Sequence, residues 1–459
     1  MTPMAVLFAA LLLAGSRLSG AEPFPPESGG DARAIMAAAR RDVFPAVIFL
    51  MPVAERFDGG KTEKTQAAGS GVIISPDGEA VTNQHVIDRA VEIRCLTSDG
   101  RARRATLVGA DKDTDLALIR LERRAGETFP FARLGQSRDV EAGQFVMAMG
   151  APWGLSRSVS MGIVSCVDRF LPGRGGYNLW FQTDASINPG NSGGPLVDAA
   201  GRVIGINSLA SLLGGNLAFA IPADTVRFIV DRLRRDGRVI RAWTGIRLQP
   251  LRDFEKNIFY EGDLGVLVAG VDPGSPADLA GIGAGQLILS VNGRETNGLN
   301  HEDIPALNQL LSELPIGKPT AVTLAPDARG ENQESFFAVE LTPREKGDAE
   351  GGDFDCRRWN MTVKAINKFA NPLLHFFRPA GVFIQGMKIP GNAAAAGLRS
   401  GDILVEIDGR PVEDLEACRR IYLEIEADAA REKKAVITVL RGGLRNYHVV
   451  DYAPRYGDD

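Results

Sequence analysis

Residues 188–195 read Asn-Pro-Gly-Asn-Ser-Gly-Gly-Pro. A serine set among glycines on a tight turn presents its hydroxyl without steric cover, and the glycines let another backbone approach closely. The N–H groups of Gly190 and Ser192 can converge on one point, the arrangement that stabilises a developing oxyanion. A serine nucleophile needs a base. The chain has 4 His, and only His85 precedes residue 300. The base in turn needs a carboxylate that fixes its tautomer. Asp111, Asp113 and Asp115 compete for that place. Asp115 opens the apolar run Leu116–Ile119 and is expected against the core, with Asp111 and Asp113 as exposed turn residues. The chemistry implied is acyl transfer through Ser192, with no metal and no cofactor required.

These three residues must be carried by something rigid. From Val43 to Phe219 the pattern is one of short strands and Gly-rich turns, including GVIIS at 71–75, DLALIRLE at 115–122, QFVMAMG at 144–150 and GRVIGINS at 201–208. That pattern predicts β-barrels or sandwiches. The chain order His85, Asp115, Ser192 is that of chymotrypsin-type double barrels. A short helix is expected at 32–41. An amphipathic helix is expected through Val226, Ile229, Val230 and Leu233, with Gly237 as its C-terminal cap and Arg232, Arg234, Arg235 and Arg238 on a solvated face.

Length and composition exclude several classes. A chain of 459 residues should hold about three domains. With 44% hydrophobic and 24% charged residues it can fill cores, so general disorder is excluded. A net charge of −5 argues against nucleic-acid binding. There is no CxxC pair, no HExxH and no phosphate loop. Met4 to Ala14 is an unbroken apolar run, well short of the roughly 20 residues that span a bilayer. Small residues around Ala21 follow it, so 1–21 reads as a cleaved export signal, with an uncleaved membrane anchor as the alternative. Export would permit disulfides, and Cys95/Cys166 or Cys356/Cys418 are the pairs to test.

The C-terminal half contains a duplication. Residues 265–294 and 381–410 align without a gap, LGVLV with AGVFI in the flanking run and AGIGAGQLILSVNGR with AGLRSGDILVEIDGR. The offset is 116, from 265 to 381, far beyond the period of solenoid repeats. It predicts two copies of a small domain, at 243–343 and 354–455, joined by a polar linker at 344–353.

TNQHVI, DTDLALI and QTDASINPGNSGGPL together resemble the HtrA/DegP family of serine proteases. GSGVIIS at 69–75, MGAPWGL at 149–155 and LAFAIP at 217–222 extend the resemblance. It implies a mostly β chain: a chymotrypsin-like double β-barrel protease domain at 32–240, followed by two PDZ domains (small α+β barrels). It also implies a periplasmic, ATP-independent endopeptidase that degrades misfolded or unfolded exported proteins, assembled from trimers. Ala218 stands where the family commonly has Gly, and 167–179 occupies the position of its activation-sensing loop.

Six residues before Ser192 stands Ser186, not an acid, so a preference for Arg or Lys lacks its counter-charge. Ile187, Leu217 and Ala218 are expected to shape a small hydrophobic pocket. Leu264, Gly265, Val266 and Leu267, and in the second copy Gly381, Val382 and Phe383, match the loop that takes the carboxylate of an apolar C-terminal peptide, which then extends the sheet. The alternative is a chaperone or scaffold that uses the same fold for binding only. An intact His85, Asp115 and Ser192 argues against it.

Overall fold

The computed structural model describes residues 32–58, 61–151, 158–172, 174, 176–188, 190–210, 217–253, 264–325, 336–347, 352–367 and 380–453. The expected signal at 1–21 lies outside them. So do parts of the expected linker, of the 149–155 motif and of the loops at 167–179 and 209–219.

After a helix at Ala32–Val43, two barrels follow. The first is built from Val47–Asp58, Gly69–Ile73, Glu79–Thr82, Leu116–Leu121, Ala102–Asp111 and Ala90–Leu96, closed by pairing of the last with the first. The second is a closed ring of Trp180–Thr183, Ala218–Pro222, Val203–Ala210, Pro195–Asp198, Phe145–Gly150 and Ser158–Arg169. Every strand pair in both barrels is antiparallel. Leu116, Leu118, Ile48 and Leu50 fill the first barrel and Val146, Ala148, Leu196 and Ala220 the second, as strand alternation requires.

The helix Ala223–Asp236 buries Val226, Ile229, Val230 and Leu233, and Gly237 caps it in the left-handed region (φ 70°) with its N–H on the Leu233 carbonyl. Its arginines are more than a solvated face. Arg234 reaches the buried Glu79 on the first barrel, and Arg232 and Arg238 reach Glu313 and Glu345 in the C-terminal region.

Two smaller units follow, and they repeat one plan. The strand Val266–Val271, helix Pro276–Leu279 and strand Leu287–Val291 of the first recur as Val382–Met387, Asn392–Ala395 and Ile403–Ile407, each shifted by the same 116 residues. Asn292 and Asp408, also 116 apart, both take a left-handed turn (φ 47° and 49°). One boundary is corrected. Arg344–Glu345, expected to open the linker, pairs instead with Ala242–Trp243 and closes the first unit as a two-stranded ribbon. Two residues of strand leave little signal in a polar run.

Glu79 is 6% exposed and is held by Arg234 and Arg120, each at 2.8 Å. The hydrogen bond from Arg234 keeps its carboxyl below the ordinary 4.5. A depressed folded value means that its stabilisation is complete above about pH 4.5 and is lost as pH falls through the folded value. We expect Glu79→Gln to lower Tm at pH 7 and the gap from the parent to close toward pH 3, read by thermal melts across that range.

Candidate active site

The candidate base His85 and the carboxylate of Asp115 come from one ladder. Glu79–Thr82 pairs antiparallel with Leu116–Leu121, with Thr82 opposite Ala117. Past the strand ends the chains stay paired, because Gln84 N–H donates to the Asp115 carbonyl at 3.2 Å. His85 therefore meets Asp115 across a sequence gap of 30 residues. Asp115 takes a left-handed φ of 58°, which an Asp tolerates better than most residues. Its carboxylate accepts from the His85 backbone N–H at 3.0 Å and lies 2.9 and 2.8 Å from His85 Nδ1. That contact fixes Nδ1 as the protonated nitrogen and leaves Nε2 as the base.

The candidate nucleophile, Ser192, comes from the second barrel and its turn is clasped by the first. Ser70 N–H donates to the Ser192 carbonyl at 2.8 Å, and Ser70 Oγ donates to the Gly190 carbonyl at 2.6 Å. A Cβ at Gly193 (φ 84°) would lie 2.1 Å from the Ser70 carbonyl oxygen, so this position requires glycine. Within the turn, Asn191, Gly193 and Gly194 donate their N–H groups to Asn188, Asn207 and Asn191. The Gly190 and Ser192 N–H groups meet no acceptor among the described residues, which leaves both available to an incoming oxygen. The Ser192 hydroxyl donates to the Ser208 carbonyl at 3.1 Å and not to His85. Proton transfer requires it to rotate toward Nε2, a closure commonly completed only with substrate in place.

Ile187 and Ala218 are buried in the second barrel's core (6% and 3% exposed), whereas Leu217 is 41% exposed and stands outside that core. Asp111 corrects the sequence reading. It is buried at 5%, not an exposed turn residue, because Arg241, 130 residues away, bonds both its oxygens. Ser208 and Ser70 went unnoticed. Ser208 Oγ donates to Asp115 Oδ2 at 2.6 Å, giving the carboxylate a further donor. Its signal is weak: a serine inside the apolar strand Val203–Ala210.

The peptide-binding expectation is also corrected. Val266 and Leu267 lie in an interior strand, with Ile246–Gln249 on one side and Leu287–Val291 on the other. Leu264 precedes that strand, and Gly265 N–H is taken by Asn297 Oδ1 at 2.9 Å. The second copy behaves alike. Val382 and Phe383 sit between Met361–Ala365 and Ile403–Ile407, and Gly381 N–H bonds the Glu413 carbonyl. A strand paired on both sides has no ladder left for a peptide.

Two closed barrels with a His–Asp pair on one and a serine turn on the other define a trypsin-like serine peptidase. Comparison with known proteins agrees. A trypsin-like peptidase domain matches residues 69–206, and a PDZ domain matches 267–325. A probable periplasmic serine endoprotease, DegP-like, of Halomonas elongata is 37% identical over 377 residues, covering 81% of this chain and 77% of that one. Its namesake in Ectopseudomonas mendocina is 33% identical over 417 residues, covering 89% and 84%. Among solved structures, the HtrA-type protease AlgW with tripeptide aligns at TM-score 0.58 and 31% identity, covering 67% of this chain and 96% of that one. The serine endoprotease from Yersinia pestis aligns at 0.52 and 32%, covering 67% and 97%. The chain belongs to the HtrA/DegP family of serine endoproteases, and it is a serine endopeptidase with a PDZ domain.

Removing the Ser208 hydroxyl takes a donor from a carboxylate, a bond worth about 1.5–3 kcal/mol. We expect Ser208→Ala to lower kcat about tenfold to a hundredfold with KM little changed, measured on a peptide substrate.

Proposed function

We propose that this protein is an ATP-independent periplasmic endopeptidase that degrades misfolded or unfolded exported proteins, with His85, Asp115 and Ser192 as its triad. The observation that carries the reading is the His85–Asp115 contact of 2.8 Å beside a glycine-flanked Ser192. His85 Nε2 takes the proton from Ser192 as the hydroxyl attacks a peptide carbonyl, then returns it to the leaving amine. Asp115 orients the imidazole and stabilises its charged form. The Gly190 and Ser192 N–H groups hold the oxyanion. Ile187 and Ala218, with Leu217 at their exposed side, select a small aliphatic residue before the cut. The relatives' periplasmic names support export through the 1–21 segment with cleavage after it. No helix among the described residues is long and apolar enough to cross a membrane.

The repeated plan supports reading the second C-terminal unit as a second PDZ domain, with domain limits near 32–240, 243–343 and 354–455 and a shortened linker. The two units differ at the edge that matters. In the first, Ile246–Gln249 ends its sheet. Ile246 and Leu248 are half-buried beside the helix Ile304–Ser312. Gly245 turns the chain into that strand with φ 83°. An apolar C-terminal peptide is taken here by strand addition. In the second unit the corresponding strand, Met361–Ala365, is already covered by Asp353–Cys356. Peptide capture thus falls to the first unit. The family relationship supports assembly as a trimer or a trimer-based oligomer.

We expect the mature chain to cleave unfolded casein without ATP or added metal and Ser192→Ala to lose cleavage by at least about 10³-fold. Cleavage by neither, even with an apolar C-terminal peptide present, would favour the chaperone or scaffold reading. A labelled apolar C-terminal peptide should bind once per chain by titration calorimetry and weaken about tenfold in Ile246→Ser. Binding of two per chain would place a second site on the covered edge.

A further inference from the structure

Two cysteines of the second C-terminal unit face each other. All four cysteines of the chain are free thiols in the structure, and Cys356 and Cys418 are both 0% exposed. Cys356 ends the strand Asp353–Cys356 that covers the edge of Met361–Ala365. Cys418 lies in the first turn of the helix Leu415–Ala427. Both belong to one apolar cluster with Trp359, Met361 and Tyr422. Burial first, and then the hydrogen bond with the Cys418 thiol, holds the Cys356 thiol well above the ordinary 9.0. A thiol in that state is no nucleophile. Two thiols in hydrogen-bond contact do meet the proximity that a disulfide requires.

The contact is one of several between the covering strand and that helix. Phe354 meets Tyr422 edge-on, with ring centroids 5.4 Å apart. Just past the strand, Arg358 N–H donates to the Tyr422 hydroxyl at 3.0 Å. The Arg419 guanidinium stands 5.9 Å from the Phe354 ring centroid. Strand alternation turns Phe354 and Cys356 inward and leaves Asp353 and Asp355 exposed. Helical spacing gathers Cys418, Ile421, Tyr422 and Ile425 on one buried face. Trp243 and Trp359 carry the offset of 116 ahead of the aligned segment. At the places 116 residues before Cys356 and Cys418 stand Ile240 and Glu302, so the pair belongs to the second copy alone. Cys95 and Cys166 have no such relation. Cys95 lies on a strand of the first barrel with its thiol on the Arg103 carbonyl, and Cys166 lies on a strand of the second.

We propose that Cys356 and Cys418 are a disulfide site: oxidation joins them and clips the covering strand to the helix, which makes the closure of this sheet edge permanent. The step is a two-electron oxidation. Each thiol gives up its proton and the two sulfurs form one bond. The two protons and two electrons reduce an oxidant of the disulfide class, a protein disulfide or oxidised glutathione, to two thiols. Because burial shields both sulfurs, the bond forms while the unit folds, before the strand docks. The proposal rests on the export reading only for the compartment in which the oxidant is met. Once oxidised, the second unit takes no peptide on this edge.

The test uses the mature full-length chain, trapped with a thiol-alkylating reagent in denaturant and mapped by mass spectrometry. Refolded with oxidised glutathione, it should carry alkyl groups on Cys95 and Cys166 and a linked pair of peptides holding Cys356 and Cys418. In the same chain refolded reduced, the amides of 353–356 and 361–365 should exchange hydrogen at least about tenfold faster. The melting transition of the second unit should fall by about 10 °C. Four alkylated cysteines after glutathione, or exchange in this ladder within about twofold between the two forms, would overturn the proposal. The two forms differ in no side chain, so the comparison stands even where a variant does not fold. Cys418→Ala refolded with glutathione should exchange at the reduced rate, and the slow rate there would overturn the proposal too. Chain taken from the exported fraction should already carry the bond. A bond that forms in glutathione but is absent from chain taken from cells would sink the export reading instead and leave the disulfide site standing.

Discussion

The structure depends on one antiparallel pairing, Glu79–Thr82 against Leu116–Leu121. A ladder of this kind fixes which residues face one another beyond its ends as firmly as within it. The Gln84–Asp115 backbone bond is its first continuation, and the His85–Asp115 contact is the next. Leu116, Ala117, Leu118 and Ile119 are all buried, so a slip of one residue would set side chains of different size into places packed on both faces of the strand. The register is thus enforced by the core, and the geometry of base and carboxylate is inherited from it.

The nucleophile is placed by the opposite logic. Its turn has little side-chain packing of its own, and its shape is imposed by close backbone approach. Gly193 fits against the Ser70 carbonyl and Gly194 against the Met149 carbonyl, each with no space for a Cβ. Ser70 spends its N–H and its hydroxyl on the carbonyls of Ser192 and Gly190, which ties the turn to the first barrel at two points. One barrel carries the His85–Asp115 pair and grips the Ser192 turn that the other barrel supplies.

How far the site was legible follows from the range of the interactions. The His85–Asp115 contact could be anticipated because a single His precedes residue 300 and Asp115, unlike its neighbours, opens an apolar strand. The helix Ala223–Asp236 could be read because its periodicity and Gly237 cap are local. Asp111 could not. Its burial rests on Arg241, far along the chain, and an Asp four residues before another in a polar turn looks the same whether or not a cation arrives. Leu264–Leu267 failed for a related reason. A Gly followed by apolar residues describes a peptide-receiving loop and an interior strand equally well, and only the partners on both sides separate them. The ribbon at Arg344–Glu345 is too short to leave a pattern.

The duplication carries the same lesson into function. The two units share 30 aligned residues, the same helix and strand spacing and the same left-handed turns, so their cores are copies. A peptide that joins a sheet, however, recognises an edge, and edges are set by what lies outside the repeat. In the first unit the segment before the repeat ends as the outermost strand. In the second, Asp353–Cys356 pairs residue by residue with Met361–Ala365, from Asp353 opposite Lys364 to Cys356 opposite Met361, and Asp353 is further tied to Arg89 of the protease domain. The chain has used its own backbone to satisfy the groups that a ligand would otherwise satisfy. Copying a core therefore did not copy its edge: a few residues of flanking strand are enough to turn an outermost strand into an internal ladder.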